Sequence, residues 1–371
     1  MADRSLFQRG ETVPWFKKPT SHNPQFQFSS LGGRFVLLTF PGSSQLPIGH
    51  EFVSKLAAST KLPSEKKLVA FAVSWLKADM NKTAWPEFFL ESRIFHDPDF
   101  EIMKQYRVAS DGEDGKIRFS GGWYILDPML RVYESGHLHE IEKLIQTVAA
   151  LPDPVDHASP GVEGWAPVLM VPRVLPPDFC RHLIETYQSG EKRSSGFMRE
   201  ENGKTVAIRD SNFKRRHDVH IEDQRTKEKL NRLIFRNLKP QIYKAFQFNA
   251  TRIERYIVAC YDENDRGFFK AHRDNTTAGT AHRRFAVTIN LNAEDFDGGE
   301  LRFPEFGTRT YKAPTGGAIV FGCSLLHEAL PVTRGERYAT LPFLYDDAAA
   351  KIRAANEKNI VGYATEEEPA T

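Results

Sequence analysis

Between Arg252 and Tyr345 the chain is a series of short runs rich in β-branched and aromatic residues, each cut off by Gly, Pro or Asp before it reaches helix length. Arg252 to Tyr261 is one run and Phe285 to Asn292 another. Gly299 to Phe303 follows a turn at Asp297-Gly298-Gly299, and Gly316 to Phe321 and Tyr338 to Tyr345 complete the set. Such residues suit a pleated, half-buried surface. Many short strands with turns between them pack as a sandwich or a barrel, because a sheet must cover its apolar face with another layer.

Three residues in this region have the chemistry of a metal centre. His272 and Asp274 stand one residue apart, His327 follows the aspartate by 53 positions (327 − 274), and Arg337 lies ten beyond that. Phe269-Lys-Ala-His272-Arg-Asp274-Asn275 reads as a short strand, in which residues two apart project from one face. Two neutral imidazoles and one carboxylate form a facial triad for non-haem Fe(II), with three neighbouring positions left open. A lone inward-facing carboxylate such as Asp274 is costly unless something answers its charge.

The His-x-acid pattern by itself is weak. With 48 acidic residues in 371 positions and 12 histidines, about 1.6 such pairs arise by chance (12 × 48/371). Two occur, His272-x-Asp274 and His220-x-Glu222. The second sits in a charged, turn-poor stretch from Lys214 to His220, ahead of a helical pattern, and reads as a solvated polar face.

Residues 165–346 resemble the 2-oxoglutarate/Fe(II) oxygenases of the prolyl-4-hydroxylase type. Four blocks carry the resemblance in order: Tyr256-Ile-Val-Ala-Cys-Tyr261, His272-Arg-Asp274-Asn275, Asp297-Gly298-Gly299-Glu-Leu301 with Phe303-Pro304, and His327-Glu328 followed by Arg337-Tyr338-Ala339. It implies an all-β double-stranded β-helix (jelly-roll) domain with buttressing helices. It also implies His272, Asp274 and His327 as iron ligands and Arg337 as the fork-shaped cation that grips the distal carboxylate of 2-oxoglutarate. Tyr261 matches a tyrosine whose hydroxyl reaches the co-substrate. Asn290 falls where the oxygen-sensing members carry a second such tyrosine. Fe(II), 2-oxoglutarate and ascorbate are the expected cofactors, and dioxygen the second co-substrate.

The N-terminal part follows another pattern. Phe35 to Phe40 and Leu68 to Val73 are near-continuous apolar runs, as expected of strands covered on both faces. Glu51 to Leu56 and Phe100 to Tyr106 read as short helices, Trp123 to Asp127 with Leu130 to Tyr133 as a hairpin, and His139 to Leu151 as a closing helix. This α/β order resembles the peroxiredoxins of the thioredoxin fold, through Gly10-Glu-Thr-Val-Pro14, His96-Asp97-Pro98-Asp99 and Tyr124-Ile-Leu-Asp127-Pro128. Against that family, Ile48 stands at the peroxidatic cysteine, His50 at the active-site threonine and Gly121 at the thiolate-stabilising arginine. A thiol peroxidase needs a low-pKa thiolate, and no cysteine precedes Cys180. The resemblance therefore implies a redoxin module retired from peroxide chemistry. His50 reads as a helix-start residue, and His137-x-His139 as surface.

The expected organisation is a degenerate thioredoxin-like domain over 1–150, a Pro- and Gly-rich linker over 151–164, the oxygenase domain over 165–346 and a tail over 347–371. Within the oxygenase part, Ala166 to Val171 should be a strand and Pro176 to Gly190 a helix. A second helix runs through Leu230, Leu233, Ile234 and Leu238 until Pro240 kinks or restarts it.

A net charge of +2 with a pI near 8.3 makes no demand for nucleic acid or an acidic surface. The Lys- and Arg-rich stretch Glu191 to Lys239 reads as a solvated face flanking the mouth of the oxygenase. Cys180, Cys260 and Cys323 fit neither a disulfide framework nor a thiolate metal cluster, and no stretch is apolar enough to span a bilayer. A reducing cytoplasm is the expected compartment. The expected activity is hydroxylation of a C–H bond of a protein or peptide, prolyl-type, or of a small-molecule acceptor. The competing reading is a non-catalytic sensor or adaptor that binds iron and 2-oxoglutarate and uses the redoxin part as an interaction surface.

Overall fold

The computed structural model describes residues 5–20, 23–59, 63–80, 93–158, 161, 163–201 and 203–361. The chain divides into two compact units, Met1–Trp165 with Pro304–Thr308, and Ala166–Phe303 with Arg309–Thr371. The end of the expected tail, 362–371, and residues 159, 160 and 162 of the expected linker lie outside the described residues.

The first unit is built on one mixed sheet. Its strands are β1 (Phe35–Gly42), β2 (Leu68–Ser74), β3 (Ile94–His96), β4 (Gly122–Leu126) and β5 (Val132–Gly136), in the order β3-β2-β1-β4-β5. β1 pairs parallel with β2 and antiparallel with β4. The apolar runs do what their composition requires. Side chains alternate across a strand, so Phe35 and Leu37 enter one core while Val36, Leu38 and Phe40 enter another on the opposite face. The first core is closed by α1 (Pro47–Ser59), through Phe52, Val53 and Leu56, and by α3 (Ile141–Ala149), through Ile141, Leu144 and Val148. The short α2 (Glu101–Gln105) adds Ile102 and Met103 to the second.

The second unit is built on two main antiparallel sheets, beside a three-stranded sheet (Phe197–Glu201, Lys204–Ile208 and Ile360–Val361) and a two-stranded one (Asp297–Gly298 with Val332–Arg334). Its first elements are β6 (Leu169–Val171), α4 (Pro177–Ser189), β7 (Arg193–Ser194), β8 (Lys214–Arg215), β9 (His217–His220), α5 (Gln224–Leu233) and α6 (Lys239–Phe246). Then come β10 (Arg252–Glu254), β11 (Ile257–Asp262), β12 (Phe268–His272), β13 (Phe285–Asn290), β14 (Leu301–Arg302) and β15 (Thr310–Tyr311). β16 (Ala318–Gly322), β17 (His327–Ala329), β18 (Glu336–Thr340), β19 (Phe343–Tyr345) and α7 (Asp347–Asn356) follow. The larger sheet runs β6-β16-β13-β18-β11-β9-β7, with β10 joined to β19 and β19 to β13; the smaller runs β8-β12-β17-β14-β15.

The helices have local causes. α4 starts on Pro177 and packs Phe179, Leu183 and Tyr187, spaced four apart, against the larger sheet. Asp223 caps α5 by accepting the Thr226 N–H at 2.8 Å. The expected break near Pro240 takes a definite form. Ile234–Leu238 winds as a π-helix, and α6 restarts at Lys239 with Pro240 in its first turn. Leu230, Ile234, Leu238 and Ile242 stay buried in one core across the junction.

Three strand expectations need correction. The run from Arg252 to Tyr261 is two strands, broken where Arg255 takes a left-handed φ of 70°; β10 pairs with β19, whereas β11 pairs with β9 and β18. Tyr338 to Tyr345 divides likewise at Leu341 and Pro342, since proline cannot donate to a ladder. The strand through His272 ends there, so Asp274 lies beyond it in a turn. Among the described residues, no helix is long and apolar enough to cross a membrane.

Candidate metal centre

β12 and β17 are neighbours in the smaller sheet, and their register sets His272 directly opposite His327. Asp274, past the strand end, is fixed by its own backbone N–H, which donates to the Cys323 carbonyl at 2.9 Å. The three side chains converge. Asp274 Oδ1 lies 3.5 Å from His272 Nε2, and Oδ2 lies 3.4 Å from His327 Nε2. Among the described residues, this is the one group of three or more His, Cys, Asp or Glu side chains that could hold a metal ion. Two cis ligands each about 2.1 Å from one ion stand about 3 Å apart, so the cluster needs little adjustment to close on a cation.

The imidazole tautomers follow from the backbone. His272 Nδ1 faces the Lys270 carbonyl at 2.8 Å, and His327 Nδ1 faces the Leu325 carbonyl at 3.0 Å. A carbonyl only accepts, so each Nδ1 carries the proton and each Nε2 turns a lone pair to the centre. Phe269 stacks on His272 with centroids 3.5 Å apart, and Phe321 packs on His327 at 4.5 Å. Burial, helped by neighbouring His272, holds His327 down to about 4, so it is neutral near pH 7. Burial acts to raise the Asp274 carboxyl. The two imidazoles and Arg283 outweigh it and keep the group well below the usual carboxylate range.

A second line of support stands behind Asp274. Glu254 receives Arg283 Nε at 2.7 Å and contacts His282 Nε2, while Arg283 Nη1 reaches the Asp274 carbonyl at 3.5 Å. Burial raises Glu254, but these two partners win and bring it down to about 2.

The centre opens into a pocket of about 460 Å³, counted out to its open mouth, with walls from both sheets. Tyr261, Ala286, Val287, Thr288, Phe321 and Arg337 come from the larger sheet, and Phe269, Leu301 and Ala329 from the smaller. Arg337 faces Tyr261 across the β11–β18 ladder, its Cζ 5.0 Å from the ring centroid. The residue is 2% exposed. Nε donates to Asn290 Oδ1 at 3.4 Å, and Nη1 has no hydrogen-bond partner. Burial lowers its pKa, as expected of a cation without an anion.

Asn290 is placed behind this guanidinium. Its Nδ2 donates to the Ala313 carbonyl at 2.8 Å, its Oδ1 faces Arg337, and it is not among the pocket-lining residues. Tyr261 does line the pocket, and its hydroxyl accepts from Arg216 Nη1 at 3.4 Å.

Sequence reading missed two wall residues, Arg216 and Arg255. The stretch Lys214 to His220 is not uniformly solvated. His220 and Glu222 are exposed, but Lys214 and Arg216 are buried. Lys214 Nζ donates to Ser195 Oγ at 2.8 Å, and Arg216 forms a 2.7 Å ion pair with Asp218. Positions 214–218 are all charged or titratable, so no polar–apolar alternation marked the buried ones, and nothing in the sequence marked Arg255 either. In the first unit, His50 is exposed on the first turn of α1 with its Nδ1 3.4 Å from Ser54 Oγ, and the rings of His137 and His139 stack at 5.8 Å.

Residues 256–345 match the 2OG-Fe(II) oxygenase superfamily. A PKHD-type hydroxylase of Synechococcus sp. is 32% identical over 115 residues, covering 29% of this chain and 49% of that protein. The chain thus spans about half the length of the first curated relatives it matches. Among solved structures, a prolyl hydroxylase from Trichoplax adhaerens, in complex with a hypoxia inducible factor peptide fragment, is similar at 19% identity and a TM-score of 0.41. That match covers 51% of this chain and 86% of the other. A mutant PrxQ from Xylella fastidiosa is similar at 15% identity and a TM-score of 0.32, covering 39% of this chain and 98% of the other. The stretch that matches the oxygenase superfamily, 256–345, contains His272, Asp274, His327 and Arg337.

Proposed function

We propose that the chain is an Fe(II)- and 2-oxoglutarate-dependent dioxygenase. It hydroxylates a C–H bond of a protein or peptide, prolyl-type, or of a small-molecule acceptor. The observation that carries the reading is Arg337, a buried guanidinium with an unpartnered Nη1 in the wall of the pocket that holds His272, Asp274 and His327. A buried cation with spare donors calls for an anion. A dicarboxylate that reaches from the triad to Arg337 supplies one.

His272, Asp274 and His327 would hold the iron, with Arg337 and Tyr261 receiving 2-oxoglutarate and Asn290 steadying Arg337. With dioxygen as the oxidant, bound iron and 2-oxoglutarate would supply the hydroxylating chemistry: one oxygen atom of O2 goes to the acceptor carbon, the other into succinate, and CO2 is released. The chain itself contributes placement. The Lys270 and Leu325 carbonyls lock both imidazoles, Arg283 holds the Asp274 backbone, and Phe269 and Phe321 keep water from the rings. No general base is required. Ascorbate belongs to this reading as the reductant that keeps iron ferrous. The three buried free thiols accord with a reducing cytoplasm, and we read the first unit as a redoxin module that serves structure or recognition.

Anaerobic reconstitution with Fe(II) and 2-oxoglutarate tests this. A metal-to-ligand charge-transfer band should appear, vanish in His272→Ala and Asp274→Ala, and weaken in Arg337→Ala. Its absence from the wild-type protein refutes the assignment. Succinate release under air, tried with candidate acceptors, then separates an enzyme from a sensor.

A further inference from the structure

Each arginine near the pocket except one has an account. Arg216 is answered by Asp218 and Arg283 by Glu254, and Arg337 is assigned to 2-oxoglutarate in the reading above, on which this inference rests. Arg255 lines the same pocket, and among the described residues no carboxylate lies within ion-pair distance of it. Its Nε and Nη2 both donate to the Leu341 carbonyl, at 2.9 and 2.7 Å, which leaves Nη1 uncommitted. Its Cζ lies 4.4 Å from the Phe343 ring centroid.

Position separates Arg255 from Arg337. Arg337 stands opposite Tyr261, whereas Arg255 is clamped at Leu341, four residues further along the chain, or about 13 Å at strand rise. The two cations therefore enter the pocket at different points. The backbone at Arg255 is costly, because a φ of 70° on a long side chain is rarely adopted, and it is here that the run from Arg252 to Tyr261 breaks. The break brings the guanidinium under Leu341 and Phe343 and against the pocket. A solvated arginine would need neither the bend nor the clamp.

We infer that Arg255 is the anion-binding residue of the acceptor subsite, and that the acceptor is a small molecule bearing a free carboxylate, of the amino-acid class. A residue inside a peptide chain brings no carboxylate of its own to this point unless it is acidic. A free acid does so within a few bonds of its aliphatic carbons. With one monoanion at Arg255 and one dicarboxylate running to Arg337, every guanidinium of the pocket has a partner. The recognition is that of arginine for carboxylate, with Nη1 as the free donor and the Leu341 carbonyl fixing the plane of the fork.

The full-length protein, loaded anaerobically with Fe(II) and 2-oxoglutarate, is titrated with the free L-amino acids, with their carboxamides, and with capped peptides of Asp and Glu. Calorimetry and the charge-transfer band are read together. At least one free acid should bind about tenfold or more tightly than its amide. Arg255→Met should abolish that preference and keep the band, and Arg255→Lys should restore part of it and guard against a folding defect. Three results overturn the inference while leaving the oxygenase reading intact: acids and amides bound alike by the wild type, a preference unchanged in Arg255→Met, or binding confined to the capped acidic peptides. A selective loss of 2-oxoglutarate affinity in Arg255→Met also overturns it, by moving Arg255 to the co-substrate. No band in the wild-type protein takes down both readings.

Discussion

Asn290 Oδ1 faces Arg337 Nε at 3.4 Å while Asn290 Nδ2 is tied to the Ala313 carbonyl, so one buried amide sets the direction of a buried cation of the pocket. Arg337→Ala should weaken 2-oxoglutarate binding about 10- to 150-fold, the scale of losing hydrogen bonds to a charged group at about 1.5–3 kcal/mol. Arg337→Lys should recover only part, since a point charge lacks the fork. Asn290→Ala should cost a smaller factor. Anaerobic calorimetry measures all three, and an Arg337→Ala protein with wild-type affinity removes the guanidinium from the co-substrate site.

Gly299 leaves room for the same side chain. It has a φ of 69°, and a Cβ there would lie 3.0 Å from Arg337 Cδ and from Val332 Cγ2. Gly299→Ala should therefore cost about 1 kcal/mol or more of stability through the backbone and lower 2-oxoglutarate affinity by displacing Arg337. Urea unfolding and calorimetry on one preparation check the two effects. Loss of stability without loss of affinity would show that the guanidinium can give way.

Glu254 carries two close partners, His282 and Arg283, and a more distant one, Arg353 at 3.9 Å, in a buried setting. Removing its charge leaves Arg283 unanswered behind Asp274. Glu254→Ala should destabilise the protein by about 3–5 kcal/mol, as breaking a buried pair does. Glu254→Gln, which keeps the shape, should cost less. Denaturant unfolding at neutral pH decides, and a change below about 1 kcal/mol for Glu254→Ala would mean that the pair adds little.

His327 gives the metal-free protein a pH signature. Its folded value near 4 lies below the ordinary 6.5 because it is buried beside His272, so the unfolded chain binds more protons below about pH 6.5. Its stability cost is therefore absent above that pH and grows as the pH falls toward 4. Between about pH 6.5 and 5 the loss should be about 2 kcal/mol. Thermal unfolding of wild type and His327→Asn across that window tests it, the variant showing the shallower slope. Parallel curves would contradict a neutral buried imidazole.

Much of this was legible because it depends on local pattern. The β1 and β2 runs are almost continuously apolar since both faces of their sheet are covered, and His272, Asp274 and His327 are all metal-ligating residue types, which the fold brings within reach of one another. What escaped depends on partners distant in sequence. Lys214 and Arg216 read as surface because Ser195, Tyr261 and the pocket between the sheets complete their environment only after folding. The break at Arg255 escaped because Arg252 to Tyr261 has no Gly or Pro to announce it. Asp274 was expected on a strand face, but a turn serves as well once Cys323 anchors it.

The cross-strand pairing of His272 with His327 also makes the centre a reporter of assembly. Segments 55 residues apart (327 − 272) must be zipped in register before two imidazoles face one another, so a partly folded chain has no chelate to offer. Any divalent ion captured there favours the finished architecture by mass action and leaves the open chain unaided. Ferrous loading and resistance to unfolding should then rise and fall together.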